Sequence, residues 1–165
     1  MTSTTITERE QHATSRDRTR IAAAEPADAA AIEALVQRAY TPYLHSIGVR
    51  PMPLDADHRS AIARGEVFVA REGSLLGAIV LVAHRDCMMV ENVAVDPVRH
   101  SEGIGRALLA FAEAQARAAD LPRLRLCTHR AMSRNLRIYE QLGYSRDDDP
   151  QPDPAPRVFM SKWLR

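Results

Sequence analysis

Lysine is almost missing from this chain: of its 22 basic residues only Lys162 is a lysine. A nucleotide-binding P-loop is thereby excluded, because its glycine-rich turn must run into Gly-Lys-Ser/Thr. Charge of one sign is also lacking, with 22 basic against 21 acidic side chains, so neither a nucleic-acid partner nor a membrane surface is indicated. Cysteine is scarce. Cys87 and Cys127 stand alone in apolar sequence, without the paired spacing of zinc or redox sites, and both are expected to be reduced core thiols. The histidines His12, His45, His58, His84 and His129 show no spacing that gathers ligands, so no metal is expected. No apolar run approaches the roughly 18 residues of a membrane span, and the polar start has no signal-peptide core; a cytoplasmic protein is the expectation.

What is present suits one compact domain. The 165 residues are 45% hydrophobic, enough to bury a core without disulfide or metal staples. Residues Met1 to Thr19 have Ile6 and Ala13 as almost their only apolar side chains and cannot offset the entropy of ordering, so 1–19 reads as a loose tail and 20–165 as the domain.

Along the domain, a short strand at Arg20 to Ala24 precedes a helix opened by Pro26, with Ile32, Leu35, Val36, Ala39 and Tyr40 at i, i+3, i+4, i+7 and i+8. The proline-broken stretch Thr41 to Asp57 reads as a long loop, followed by a short helix ending at Gly65. "VFVAR", "LLGAIVLVA" and "CMMVENVAV" predict three adjacent antiparallel strands, the last stopped by Asp96-Pro97. A helix from Ile104 to about Ala119, a strand "LPRLRLC" with Leu124 and Leu126 on one face, and a helix carrying Met132, Asn135, Leu136, Tyr139 and Leu142 up to Gly143 come next. "YSR", a loop rich in Asp and Pro, and a terminal strand "RVFMSKW" complete an α+β pattern.

The stretch "VDPVRHSEGIGRALL" crowds Gly103 and Gly105 at the mouth of a helix. A helix start leaves about four N–H groups without internal acceptors and carries roughly half a positive charge, so anions bind there. Glycines remove the Cβ atoms that would keep a phosphate away. The spacing departs from a dinucleotide fingerprint, which wants a third small residue where Leu108 stands. A turn needing positive φ before an ordinary helix is the other reading of these glycines.

Joined to its neighbours, this loop resembles the acetyl-CoA-binding core of the GNAT superfamily of N-acetyltransferases. The family loop, Arg/Gln-x-x-Gly-x-Gly/Ala, appears as His100-Ser101-Glu102-Gly103-Ile104-Gly105, between "ENVAVDP" and "RALLAFAEA"; a second block, "NLRIYEQLGY", matches the downstream helix. The resemblance implies a mixed, mostly antiparallel sheet of about seven strands flanked by about four helices. One strand, carrying Val93, Ala94 and Val95, splays from its neighbour to admit acetyl-CoA. It implies that amides from Ser101 through Glu102, Gly103, Ile104 and Gly105 to Arg106 hold the pyrophosphate, that Asn135 contacts the cofactor arm, and that Tyr139 lies near the thioester sulfur. His100 departs from the family's Arg or Gln; Arg99 and Arg106 either supply the missing charge or are solvated surface arginines.

Acetyl transfer to an amine needs a neutral nitrogen, a stabilised oxyanion and a tolerated thiolate. A lysine-like amine with pKa about 10.4 is neutral only about once in 2,500 molecules at pH 7, a handicap of about 4.6 kcal/mol. Glu91, the only ionisable residue in "MMVENVAV", is the candidate base through a water; counting by twos puts it on the face of Val93 and Val95. The other reading is a carboxylate that fixes a loop. The amide of Val93 is the candidate oxyanion donor. By the resemblance Tyr139 is the candidate general acid, against a reading as core aromatic. Tyr40 and Tyr43, with His45 and Met52 beyond them, fall where such proteins build the acceptor pocket, and the run Asp147, Asp148, Asp149 and Asp153 would draw a cationic amine or is simply a wet loop. The expected function is transfer of acetyl to a primary amine of a small molecule or peptide, by a monomer or homodimer. The alternative is an acyl-CoA-binding regulatory module that lost turnover.

Overall fold

The computed structural model describes residues 19–147 and 156–165. The expected tail, apart from Thr19, lies outside the described residues, as do Asp148, Asp149 and Asp153. The chain runs β1 (Arg20–Ala23), α1 (Ala29–Tyr40), α2 (His58–Ala63), β2 (Val67–Glu72), β3 (Ser74–Ala83), β4 (Met88–Val95), α3 (Ile104–Ala118), β5 (Arg123–His129), α4 (Ser133–Gln141), β6 (Ser145–Asp147) and β7 (Arg157–Trp163). Pro26 opens a 3-10 turn, Pro26–Asp28, rather than α1 itself. The side chain of Asp57 starts α2 by accepting from the Ser60 amide at 3.0 Å.

The strands form one seven-stranded sheet in the order β1-β2-β3-β4-β5-β7-β6. Only β4 and β5 are parallel; the other pairings are antiparallel. A mixed, mostly antiparallel sheet with four helices is therefore the architecture, as the resemblance implies. Two apolar layers sandwich it. On one face α3 and α4 bury Leu108, Ala112, Leu136 and Tyr139 against Ile79, Leu81, Val90, Leu124, Leu126 and Met160. On the other, Ile32, Leu35 and Val36 of α1 pack with Val67, Val69, Ala78 and Val80. Each such Val, Leu, Ile or Met side chain contributes roughly 1.5–3 kcal/mol by leaving water.

Three local features set the site. β4 pairs with β5 only from Met88 to Val90, opposite Leu124 to Leu126; beyond Val90 the two strands part. In the same place the β3–β4 register slips, because Val80 faces Asn92 while Leu81 faces Val90. Glu91 is thus the extra residue of a β-bulge. Finally, Gly77 on β3 lets α3 lie close, since a Cβ there would come within 3.0 Å of Leu108 Cδ1 and 3.1 Å of Ile104 Cγ2.

One expectation is corrected, and one of two open readings is narrowed at its single described residue. Cys87 is buried but Cys127 is exposed, because Leu124 and Leu126 turn to the core and the residue after them takes the opposite face of β5. Asp147 offers no free charge to an amine, since its Oδ2 accepts from Ser161 Oγ at 2.6 Å and lies 3.4 Å from Arg123 and 3.2 Å from Arg125.

Candidate active site

β4 ends where the Asp96 carboxylate accepts from the Val98 amide at 3.2 Å, starting a single 3-10 turn over Pro97–Arg99. The chain then takes left-handed conformations at Ser101 (φ 73°) and Gly103 (φ 84°). Backbone of this kind turns N–H groups toward one concave side, although the Glu102 amide, expected among the phosphate donors, donates to Arg99 O at 3.4 Å. Gly103 is the residue before α3, and no side chain caps that helix start. The amides of Ile104, Gly105 and Arg106 have no intrahelical acceptor by the geometry of a first turn. The two glycines differ in kind. Gly103 is held by its positive φ, whereas Gly105 is not left-handed and a Cβ there would touch only Val95 Cγ2, at an ordinary 3.6 Å. Nothing in the folded chain demands glycine at 105, so the room over its amide is left for something else.

The edge of β4 supplies a second row of donors. The Asp96 amide donates to Leu76 O at 2.9 Å on the β3 side. N–H direction alternates along a strand, so the amides of Val95 and Val93 point away from β3, into the gap that β5 has vacated.

These two rows line one cavity of about 490 Å³. Its wall brings together Val93, Ala94 and Val95 from β4; His100, Ser101, Glu102 and Gly103 from the loop; Ile104, Gly105 and Arg106 from α3; Asn135 and Tyr139 from α4; and Tyr40 and Tyr43 from the end of α1. Asn135 and Tyr139 share one face of α4, four residues apart. Arg134 and Ile138 also line it, and the helical period of that block carries the signal that could have found Ile138. Glu91 does not line the cavity, and it is exposed. Counting by twos from Glu91 to Val93 fails because the bulge falls on Glu91. His45 and Met52 are likewise absent from the lining, and Met52 is solvent-exposed.

Burial dominates the chemistry of the aromatic end. Tyr139 is 8% exposed, and desolvation, with the neighbouring Tyr43 a lesser cause, pushes its phenol up to about 12. Burial raises Tyr40 still further, with Tyr139 and Tyr43 adding to it. Both are neutral hydroxyls at physiological pH, able to donate. The Tyr40 hydroxyl spends its hydrogen on Asn92, whose Oδ1 lies 2.7 Å away; sequence reasoning missed Asn92, which reads as one more residue of an apolar strand.

At the other end the charges are arranged around the open amides. Arg99 donates through Nε to both carboxylate oxygens of Glu102, at 2.8 and 2.7 Å, and its Nη2 lies 3.4 Å from Glu72. Those carboxylates, Glu102 foremost, hold the Arg99 guanidinium charged. Of the two arginines that flank the loop, Arg99 is engaged, and Arg106 has no ion-pair partner among the described residues. No cluster of His, Cys, Asp or Glu among the described residues is placed to hold a metal.

Solved structures share this architecture. The PaiA N-acetyltransferase from Thermoplasma acidophilum, in complex with coenzyme A, superposes with a TM-score of 0.77 at 17% identity, over 88% of this chain and 99% of that one. The ribosomal-protein-S18-alanine N-acetyltransferase from Escherichia coli gives 0.68 at 22% identity, over 88% and 93%. N-acetylglutamate synthase from Neisseria gonorrhoeae, complexed with coenzyme A and N-acetyl-glutamate, gives 0.69 at 20% identity, over 89% of this chain and 35% of that one. At such identities the likeness is one of fold. No curated protein matches the chain in sequence. The acetyltransferase (GNAT) family, however, matches residues 29–144, a span that includes the splayed strand, the glycine loop and the helix of Tyr139. The chain belongs to the acetyltransferase (GNAT) family.

Proposed function

We propose that this protein transfers the acetyl group of acetyl-CoA directly to a primary amine of a small molecule or peptide, in the cytoplasm and as a monomer or homodimer. One observation carries the reading: a single cavity joins the open amides at the start of α3 to the Tyr139 phenol along the unpaired edge of β4. The donor set fits the coenzyme. Its anionic diphosphate matches the positive helix end and the uncapped amides at Gly103 to Arg106. Its amide-bearing arm matches the unpaired donors of β4, with Asn135 alongside. Coenzyme A bound in two proteins of the same fold supports the same ligand here.

Acetyl-CoA supplies an activated thioester; the chain's own groups do the rest. The Val93 amide holds the carbonyl oxygen as the nitrogen–carbon bond forms and negative charge develops, a kind of donor worth about 10²–10³ in rate. As the carbon–sulfur bond breaks, the Tyr139 hydroxyl donates to the departing thiolate. With the phenol near 12 and a thiol near 8.5, complete proton transfer is uphill by about 4–5 kcal/mol, so Tyr139 works as a neutral hydrogen-bond donor. The proton lost by the amine leaves through water; Glu91, exposed beside the gap, is the group that receives it.

Thiol release from acetyl-CoA, measured against small amines, polyamines, aminoglycosides and peptide N-termini, tests this reading. Release that depends on one acceptor class is expected. Tight coenzyme binding with no acceptor-dependent release would instead make the protein a binding module.

A further inference from the structure

The bulge and the splay of β4 coincide, and a side chain from the opposite wall is tied to that spot. Val90 is the last β4 residue paired with β5, Glu91 is the extra residue, and Asn92 resumes the register opposite Val80. Asn92 is 7% exposed, on the α1 side of the sheet, and its Oδ1 accepts from the Tyr40 hydroxyl at 2.7 Å. Tyr40 is the last residue of α1 and lines the cavity beside Tyr43, with ring centroids 6.4 Å apart and planes at 56°. The next residue after Asn92 is Val93, whose amide faces the gap.

We infer that the Tyr40–Asn92 hydrogen bond is a positioning strut that fixes the β4 bulge and so aims the Val93 amide at the thioester carbonyl. A bulge loosens the ladder where it occurs, and here the strand has lost its β5 neighbour as well. Backbone free on one edge and interrupted on the other has little to define its direction. A side-chain bond from a helix end, part-buried and short, restores that definition. An oxyanion donor loses most of its value when misdirected, because its advantage is preorganisation. Tyr40 therefore has two parts: its ring forms a wall of the cavity, and its hydroxyl serves β4. The inference rests on the acetyl-CoA reading above, and its test separates the two.

The test needs no acceptor. Acetyl-CoA labelled with carbon-13 at the acetyl carbonyl is bound to the intact protein. The carbonyl chemical shift and its infrared stretch are read, and affinity is measured by calorimetry. In the wild type the resonance moves downfield and the stretch falls, as a hydrogen-bonded carbonyl requires. In Tyr40→Phe much of both shifts is lost while the dissociation constant changes less than about threefold. Asn92→Leu, which removes the acceptor from the other side without burying a charge, loses the same shifts, and a coenzyme affinity near wild type in each variant shows that the fold holds. Once an acceptor is known, Tyr40→Phe lowers kcat about tenfold, the worth of about one hydrogen bond, with the coenzyme KM little changed. Equal carbonyl shifts in wild type and Tyr40→Phe, or an unshifted carbonyl in a wild type that binds, overturns the strut. No binding by the wild type overturns the acetyl-CoA reading instead.

Discussion

Arg99 clamps Glu102 inside the very loop that opens its amides, with Nε 2.8 and 2.7 Å from the two carboxylate oxygens. A carboxylate beside a diphosphate site is adverse, and the pair keeps that charge masked. Glu102→Gln removes it and leaves Arg99, then held only by Glu72 at 3.4 Å, with more of its charge for the phosphates. Coenzyme A is expected to bind severalfold more tightly, with the larger gain at low salt, since exposed charges are screened as ionic strength rises. Calorimetry at two salt concentrations checks this; unchanged or weaker binding would mean that the clamp holds the loop in shape.

Tyr139→Phe removes the hydroxyl and keeps the ring that packs on Tyr144, with centroids 5.8 Å apart. Turnover is expected to fall about a hundredfold, the worth of one donor aimed at developing negative charge, with coenzyme affinity nearly unchanged. Steady-state kinetics beside calorimetry separates the two effects. Wild-type turnover across the pH range would remove Tyr139 from the reaction.

The same phenol makes stability depend on alkaline pH. Its folded pKa, near 12, stands above the ordinary 10.0. Below pH 10 both the folded and unfolded forms are protonated and the full stability is present. Between 10 and 12 only the unfolded form gives up its proton, so stability falls as pH rises, by up to about 2–3 kcal/mol from this group. Part-buried Tyr40 and buried Tyr144 act in the same direction. Thermal unfolding followed from pH 8 to 11 is expected to show the decline, with a shallower slope in Tyr139→Phe.

Glu91 sits outside the cavity lining, so in the proposed mechanism its part is taken through water. Glu91→Gln is expected to slow turnover about tenfold at pH 7. The loss shrinks as pH approaches the acceptor amine's own pKa, where half of the nitrogen is already neutral. A pH–rate profile of the variant checks this, and a constant ratio to wild type at every pH would contradict it.

Much of this architecture is legible in the sequence itself. The stripe Ile32, Leu35, Val36 gave α1 its buried face, and Asp96-Pro97 ended β4 where the structure ends it. The glycine loop was legible because positive φ and open amides need special residues. What escaped has no compositional mark. One extra residue at Glu91 changes the face of everything counted across it, yet a bulge there looks like any polar strand position. Ser101 adopts a left-handed conformation without being glycine. Asn92 and Tyr40 meet across 52 residues of chain, a distance that no local period encodes. The exposure of Cys127 was readable: the placement of Leu124 and Leu126 on one face already turned it outward.

Gly105→Glu tests the central claim most directly, because the folded protein does not need glycine there and the new carboxylate competes with a diphosphate for the same amides. The new Cβ meets only Val95 Cγ2 at 3.6 Å, and the backbone is not left-handed. The melting temperature should hold or rise, an acidic residue in a helix's first turn being worth about 0.3–1 kcal/mol. Coenzyme A affinity, measured by calorimetry on the same material, should fall at least about tenfold, or about 1.4 kcal/mol. A stable Gly105→Glu protein that binds coenzyme A as tightly as the wild type would contradict a diphosphate seated on these amides.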